Sequence, residues 1–242
     1  MRTIFVLLAV LFGQASFAGS DFAREQKWAD EVVPGIVVGD PVYLQMKDGH
    51  KFLSIYTETK GAPMGLVVVH GIGIHPDWGM VGTLRSQLAE HGYTTLSIQM
   101  PILANDAKPE AYDALFPEAA ERIDLAVDYL HVKGYGKVVI VSHSMGSAMS
   151  HYYVVKHQDK LAGWAALGMG HDLDYAGVHI PVLDMYGQND LKPVMKFAAK
   201  RTATLRKIPR SMQLKIAGAD HFYNGHEPEM VQGVQAFLES LK

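Results

Sequence analysis

Short apolar runs alternate with longer amphipathic segments over most of the chain. The run at 66–69 is entirely apolar, which is typical of a strand buried on both faces of a parallel sheet. The pattern predicts strands at 65–70, 93–99, 137–141, 161–167, 180–186 and 211–216, and helices at 80–90, 117–132, 146–157, 193–205 and 227–241. This alternation indicates right-handed βαβ crossovers and an α/β fold with a doubly wound, mostly parallel sheet.

The chain before these units has a different pattern. Two strand-like runs at 37–46 and 51–57 flank Asp48-Gly49, which predicts an antiparallel hairpin at the start of the sheet. Residues 19–36 are mainly polar with a weak helical period, in which Trp28 offers an apolar contact. We therefore expect an N-terminal extension at 19–36, followed by one α/β domain at 37–242.

The first residues predict a signal sequence at 1–18. The apolar run at 4–12 is too short to span a bilayer, and a small-residue pattern follows it up to Ala18. An N-terminal anchor is the weaker interpretation, because Gly13 and Gln14 interrupt the apolar run. We expect export, cleavage after Ala18 and no membrane span in the mature chain.

Composition narrows the possible chemistry. The 242 residues are 48% hydrophobic and 19% charged, which favours a packed core large enough for one domain. The absence of cysteine removes disulfides, thiol nucleophiles and thiolate metal sites. The formal net charge is −3 and no basic stripe occurs, so nucleic acid is not an expected partner.

A candidate nucleophile follows the predicted strand at 137–141, in the motif Ser142-His143-Ser144-Met145-Gly146. A serine on a sharp strand-to-helix turn needs small residues two positions before and after it, so that the turn can close. Gly146 meets that need, whereas Ser142 replaces the usual upstream glycine. The alternative is a turn in which the serine only caps a helix or binds phosphate.

Two further side chains follow in the order that acyl-transfer chemistry uses. Asp190 lies just past the predicted strand at 180–186, with Asp184 as the reserve candidate. His221 lies in the loop between the last predicted strand and the last helix, and the neighbouring Asp220 is expected to face solvent or to bond the loop. Asp190 as a turn residue and His221 as a surface histidine are the alternatives.

The order Ser144, Asp190, His221 resembles proteins of the α/β-hydrolase fold, and so does His70-Gly71 after the third strand. The segments 73–78, 84–85 and 95–101 resemble a group of exported bacterial hydrolase-like proteins whose function is not established. The short connection at 168–179 predicts minimal or no lid over the site.

The resemblance implies a role for each residue. Ser144 would attack, His221 would accept its proton and Asp190 would orient the imidazole. The backbone N–H groups of Met145 and Ile72 would form the oxyanion hole, without metal or organic cofactor. We also consider His75 and Trp78 at the mouth of the pocket, although Trp78 equally fits the start of a helix.

The sequence thus predicts an exported carboxylesterase that cleaves a small or medium ester through an acyl-enzyme. The first alternative is a catalytically silent protein of the same fold that binds a ligand or a protein partner. It stays open because Ser142, in place of the usual glycine, would impair catalysis if it distorts the turn around Ser144. The second is a metal-dependent hydrolase with zinc bound by His70, His75 and His143.

Overall fold

The computed structural model of the protein describes residues 19–242, so the signal sequence expected at 1–18 lies outside the described residues. The strands are β1 (Asp40–Gln45), β2 (Lys51–Thr57), β3 (Gly65–Val69), β4 (Thr94–Ile98), β5 (Val138–His143), β6 (Gly163–Leu167), β7 (Val182–Gly187) and β8 (Met212–Ile216). The helices are α1 (Phe22–Val32), α2 (Gly79–Glu90), α3 (Phe116–Val132), α4 (Met145–His157), α5 (Lys192–Leu205) and α6 (Glu227–Glu239).

The eight strands form one sheet in the order β1-β2-β4-β3-β5-β6-β7-β8. β1 pairs with β2, and β2 with β4, in antiparallel register, whereas the pairs from β4 to β8 are parallel. The predicted fold class, with its antiparallel N-terminal hairpin, is confirmed.

Helices cover both faces of the sheet, as the apolar run in β3 requires. Val67 and Val69 pack into the core that α3 and α4 close, whereas Leu66 and Val68 face the core that α2 and α6 close. Side chains alternate across a strand, so a strand between two cores needs an apolar residue at every position. Because the strands from β3 to β8 run in parallel, their carboxyl ends meet at one edge of the sheet. The candidate residues lie at that edge.

Helix α1 is better defined than its weak sequence period suggests. The Asp21 side chain accepts a hydrogen bond from the Arg24 backbone N–H and caps the helix start. On the inner face of α1, Glu25 is buried and accepts two hydrogen bonds of 2.9 Å from Arg122 of α3. The same guanidinium also donates to Glu118 and to the backbone carbonyl of Gln99.

This ion pair attaches the N-terminal segment to the α/β body. Arg122 has no exposed surface and Glu25 is 4% exposed, so neither charge is stabilised by water. Burial raises the pKa of Glu25 above its ordinary value, and the Arg122 guanidinium opposes that shift. A buried charge without its partner is costly, so α1 and α3 depend on each other for stability.

We expect Glu25→Gln to lower the free energy of unfolding by about 3 kcal/mol, because Arg122 would lose its bidentate carboxylate and keep Glu118 and the Gln99 carbonyl. Urea unfolding at neutral pH measures the change. Glu31→Gln on the same helix is the control, since the exposed Glu31 lies 3.9 Å from Lys27 and should contribute less than about 0.5 kcal/mol. Equal losses in the two variants would contradict a structural role for the buried pair.

Candidate active site

Ser144 occupies a strained turn between β5 and α4. Its backbone has φ 57° and ψ −124°, a conformation that residues with a side chain rarely adopt. Its N–H donates to the carbonyl of Leu167 in β6 at 2.8 Å, which fixes the turn to the sheet. Two residues later, a Cβ at Gly146 would overlap the carbonyl oxygen of His70, so glycine is required there. The strand, turn and helix expected around Ser144 are all present.

Ser142 fits beneath this turn without disturbing it. Its hydroxyl is buried, accepts a hydrogen bond of 2.8 Å from the indole N–H of Trp164, and lies 3.1 Å from the Ser147 hydroxyl and 3.2 Å from the Ala165 carbonyl. The replacement of the usual glycine is therefore accompanied by a polar partner on β6. The concern that Ser142 distorts the elbow finds no support in this geometry.

His221 links Ser144 to Asp190. Its Nε2 lies 2.9 Å from the Ser144 hydroxyl oxygen, and its Nδ1 lies 2.6 Å from Asp190 Oδ1. Because the carboxylate can only accept, the Nδ1 nitrogen carries the proton and Nε2 is free to accept from the hydroxyl. The three side chains come from the ends of β5, β7 and β8, which are brought together by the parallel sheet.

The carboxylate of Asp190 is held in its ionised form. Burial acts to raise its pKa, but hydrogen bonds from the His221 ring and from the backbone N–H groups of Gly187 and Leu191 outweigh burial and lower the pKa below its ordinary value. An ionised Asp190 next to Nδ1–H maintains the tautomer in which Nε2 faces Ser144.

The other two acidic candidates have different partners. Asp184 is fully buried and accepts two hydrogen bonds of 3.0 Å from Arg201, so it forms a structural ion pair away from His221. Asp220 accepts from the backbone N–H groups of Phe222 and Asn224 and thereby shapes the loop that carries His221.

Ile72 and Met145, the two residues predicted for the oxyanion hole, line a cavity together with Ser144. Within residues 19–242 neither backbone N–H donates to a protein acceptor. Met145 is the first residue of α4, so its N–H also lies at the positive end of the helix dipole. Their role as an oxyanion hole stays a prediction.

His70 holds the loop that presents Ile72. Its Nε2 accepts from the backbone N–H of Met100 at 2.9 Å, and its Nδ1–H donates to the carbonyl of Gly71 at 2.7 Å. Burial lowers the pKa of His70 to about 3, so the ring is neutral at neutral pH. In this role His70 is a structural residue of the loop.

His143 supports His221 from below. Its Nε2–H donates to the backbone carbonyl of His221 at 2.8 Å, and the two rings lie 4.7 Å apart. Burial, with His221 next to it, lowers the pKa of His143 to about 3. The three histidines of the zinc hypothesis thus have separate roles, and residues 19–242 contain no cluster of three histidine or carboxylate side chains placed to bind a metal ion.

Two cavities of about 200 Å³ each include Ser144 in their walls. Neither is lined by His75 or Trp78, which were considered for the pocket mouth. The His75 ring instead lies 5.9 Å from that of Trp28 in α1, and Trp78 precedes α2 and packs 5.3 Å from Phe222.

Most of the other wall residues were not among the predicted site residues. Besides Ser144 and His221, the first cavity is lined by Ile72, Pro109, Met145, Gly168, Gly170, His171, Leu191, Pro193 and Val194, and the second by Gly71, Ile72, Ile74, His143, Leu191 and Phe222. Of these, Ile72 and Met145 were predicted for the oxyanion hole. Pro109 begins a 3₁₀ segment (Pro109–Leu115) that the sequence pattern did not predict. Loop residues of this kind carry no periodic signal, although Pro193 and Gly168 border predicted elements.

The described residues contain no helix long and apolar enough to cross a membrane. Export stays a prediction.

A sequence family described as a protein of unknown function, DUF3530, matches residues 42–121 of the chain. None of the curated protein sequences is significantly similar to it. Among solved structures, Est1E of Butyrivibrio proteoclasticus is similar with 17% identity and a TM-score of 0.67, over 83% of this chain and 98% of that one.

Two further solved structures have the same TM-score of 0.67. The dienelactone hydrolase of Anabaena variabilis is 19% identical over 82% of this chain and 95% of its own. A lidless α/β serine hydrolase of Xanthomonas campestris is 13% identical over 84% of this chain and 95% of its own. The chain therefore has the α/β-hydrolase fold, and at these identities the likeness extends to the fold alone.

We expect Ser142→Gly to lower the free energy of unfolding by about 2–3 kcal/mol, because the buried indole N–H of Trp164 would lose its acceptor and glycine weakens a strand. Thermal or urea unfolding measures the loss. In a Trp164→Phe background the same substitution should cost less, since no indole N–H remains to be satisfied. Identical losses in both backgrounds would mean that the hydroxyl is not a needed partner.

We expect stability to fall by about 2 kcal/mol between pH 6.5 and pH 5.5. His70 and His143 have folded pKa values of about 3, below the ordinary value of about 6.5, so the unfolded chain binds more protons in this window and acid favours unfolding. Above the unfolded pKa the contribution is constant. Urea unfolding across this range tests it.

His143→Gln should remove about 1 kcal/mol of this pH dependence, whereas the same change at the exposed His91 should leave it intact. An unchanged pH dependence in the His143 variant would contradict its neutral, buried state.

Proposed function

We propose that the protein is a serine carboxylesterase that cleaves a small or medium ester through an acyl-enzyme intermediate. The observation that carries this proposal is the continuous set of hydrogen bonds from the Ser144 hydroxyl through His221 to the ionised Asp190. Similarity to hydrolases of the same fold, including a lidless serine hydrolase, supports it. The small cavities beside Ser144 fit a small-molecule substrate better than a polymer.

In the acylation step, His221 Nε2 takes the proton of the Ser144 hydroxyl while the Ser144 oxygen bonds to the ester carbonyl carbon. The charge that develops on the carbonyl oxygen is stabilised by the N–H groups of Ile72 and Met145. His221 then returns the proton to the departing alkoxy oxygen, the ester C–O bond breaks and the alcohol leaves.

In the deacylation step, a water molecule takes the place of the alcohol. His221 accepts one of its protons as the hydroxide oxygen bonds to the acyl carbon, and the proton passes to the Ser144 oxygen when the acid is released. Asp190 stays ionised throughout and stabilises the imidazolium that forms twice in each cycle. No redox or metal step is needed for this chemistry.

A catalytically silent binding protein is the second candidate. It would also have an apolar cleft, but it would have no need for a serine at φ 57° or for a histidine aligned with it. The strained serine and its histidine partner therefore favour the enzyme. We further propose that the enzyme acts outside the cytoplasm, on the basis of the signal-like pattern ending at Ala18.

We expect Ser144→Ala and His221→Ala to abolish labelling of the purified protein by a fluorophosphonate probe and to lower ester hydrolysis by at least about 10⁴-fold. Asp190→Asn should lower it by about 10⁴-fold, because the wrong imidazole tautomer would face Ser144. Labelling on gels and hydrolysis of 4-nitrophenyl acetate measure these changes.

Ser150→Ala is the matched control, because the Ser150 hydroxyl lies in the same helix, is buried and has no hydrogen-bond partner among the described residues. Labelling and turnover should be unchanged in it. A folded wild-type protein that neither takes up the probe nor hydrolyses any ester would overturn the proposal and favour the binding protein.

A further inference from the structure

The two cavities beside Ser144 indicate which esters the proposed enzyme accepts, and the inference rests on that proposed function. Both cavities contain Ser144 and His221 in their walls and share Ile72 and Leu191 as a common border. A scissile ester bond at the Ser144 hydroxyl thus has two spaces next to it, whose other wall residues differ. One cavity can hold the acyl group while the other holds the alcohol.

The walls of both cavities are mostly carbon. Met145, Pro193 and Val194 line the first, and Ile74 and Phe222 line the second. No lysine, arginine, aspartate or glutamate is among the described residues that line either cavity. A carboxylate or ammonium group on the substrate would therefore lose water without gaining a partner, which is strongly unfavourable.

The histidines in the walls do not supply that missing charge. His143 is neutral because its burial lowers its pKa to about 3, and His221 is engaged by Asp190. A positive charge on His171 would be balanced by Asp113, which lies 3.5 Å away on the 3₁₀ segment. Neutral substrate groups match this lining best.

The volumes set the size of each group. An apolar protein cavity of about 150 Å³ accommodates benzene, so a cavity of about 200 Å³ accommodates a benzene ring or a short branched chain. A long fatty chain would project from either cavity into water and gain little from burial. The size limit thus applies to both halves of the ester.

One glycine controls the width of the first cavity. A Cβ at Gly170 would lie 3.5 Å from Val194 Cγ2, an ordinary contact, so a larger residue can be placed there without backbone strain. Its side chain would take up part of the first cavity. Ile74 lines the second cavity but not the first. A larger residue at this position would therefore narrow the second cavity and leave the first unchanged.

We propose that the substrate is a neutral ester whose acyl and alcohol groups are each about the size of a benzene ring, and that Gly170 determines the size accepted in the first cavity. Two ratios of kcat/KM test the size limit: 4-nitrophenyl benzoate over 4-nitrophenyl acetate for the acyl group, and benzyl acetate over ethyl acetate for the alcohol. A charge ratio compares methyl 4-acetoxybenzoate with the 4-acetoxybenzoate anion.

For the wild type we expect a charge ratio above about tenfold, and 4-nitrophenyl hexadecanoate should be at least about tenfold poorer than 4-nitrophenyl butyrate. Gly170→Leu should lower one of the two size ratios at least about tenfold and leave the other within about threefold. Ile74→Phe should lower the opposite ratio. Gly170→Ala and Ile74→Met add less bulk and serve if a larger variant fails to fold.

The two proposals can fail separately. The protein could hydrolyse 4-nitrophenyl acetate and take up the fluorophosphonate probe, but cleave charged and neutral esters at equal rates or respond in the same way to the two substitutions. That result would overturn the substrate inference and leave the esterase proposal standing. Absence of both labelling and hydrolysis in the folded wild type would overturn both.

Discussion

The close approach of α4 to the end of β3 is the constraint on which the candidate site depends. Gly146 lets the first turn of α4 lie against the carbonyl of His70, and this contact holds Ser144 at φ 57° with its hydroxyl exposed to the cavities. A second close approach, at Gly187, lets the end of β7 lie against the carbonyls of Ala219 and Asp220. The first contact places the serine next to the loop of Gly71 and Ile72, and the second places Asp190 next to His221. A side chain at either glycine would separate groups that must lie within hydrogen-bond distance.

A series of buried hydrogen bonds connects the N-terminal helix α1 to the loop next to Ser144. Glu25 binds Arg122, which donates to the Gln99 carbonyl. The next residue, Met100, donates to His70, and His70 donates to the carbonyl of Gly71, which precedes Ile72 in the wall of both cavities. Each buried partner is costly to leave unpaired, so the loop is held by the cumulative cost of breaking the network. The segment expected to be a mere extension thus belongs to the support of the site.

The sequence was informative where a local rule determines the structure. Four apolar residues in β3 and the alternation of elements predicted the sheet, and the motif around Ser144 predicted its turn, because periodicity and turn chemistry act over a few residues. The weak period of α1 gave little sign of the helix, since one of its main contacts is the buried pair of Glu25 with Arg122, 97 positions away in the sequence. Leu191, Val194 and Gly170 were not predicted as wall residues either. Their common position is set by how the loop after β6 packs against the start of α5, and no pattern within one segment encodes that contact.

The same reasoning bears on the choice between an enzyme and a silent binding protein. Ser144 retains backbone strain of about 1–3 kcal/mol, and the buried Nδ1 of His143 has no hydrogen-bond partner among the described residues. Both costs occur at the point where the serine hydroxyl meets the His221 ring, whereas Ser142 nearby is fully bonded to Trp164. A cleft used only for binding gains nothing from a strained serine, since its affinity depends on the apolar walls. An acyl-transfer site does gain, because the strain presents the nucleophile and the neutral His143 supports the imidazole without competing for its proton. The backbone strain at Ser144 therefore lies on the group that the proposed reaction requires as its nucleophile.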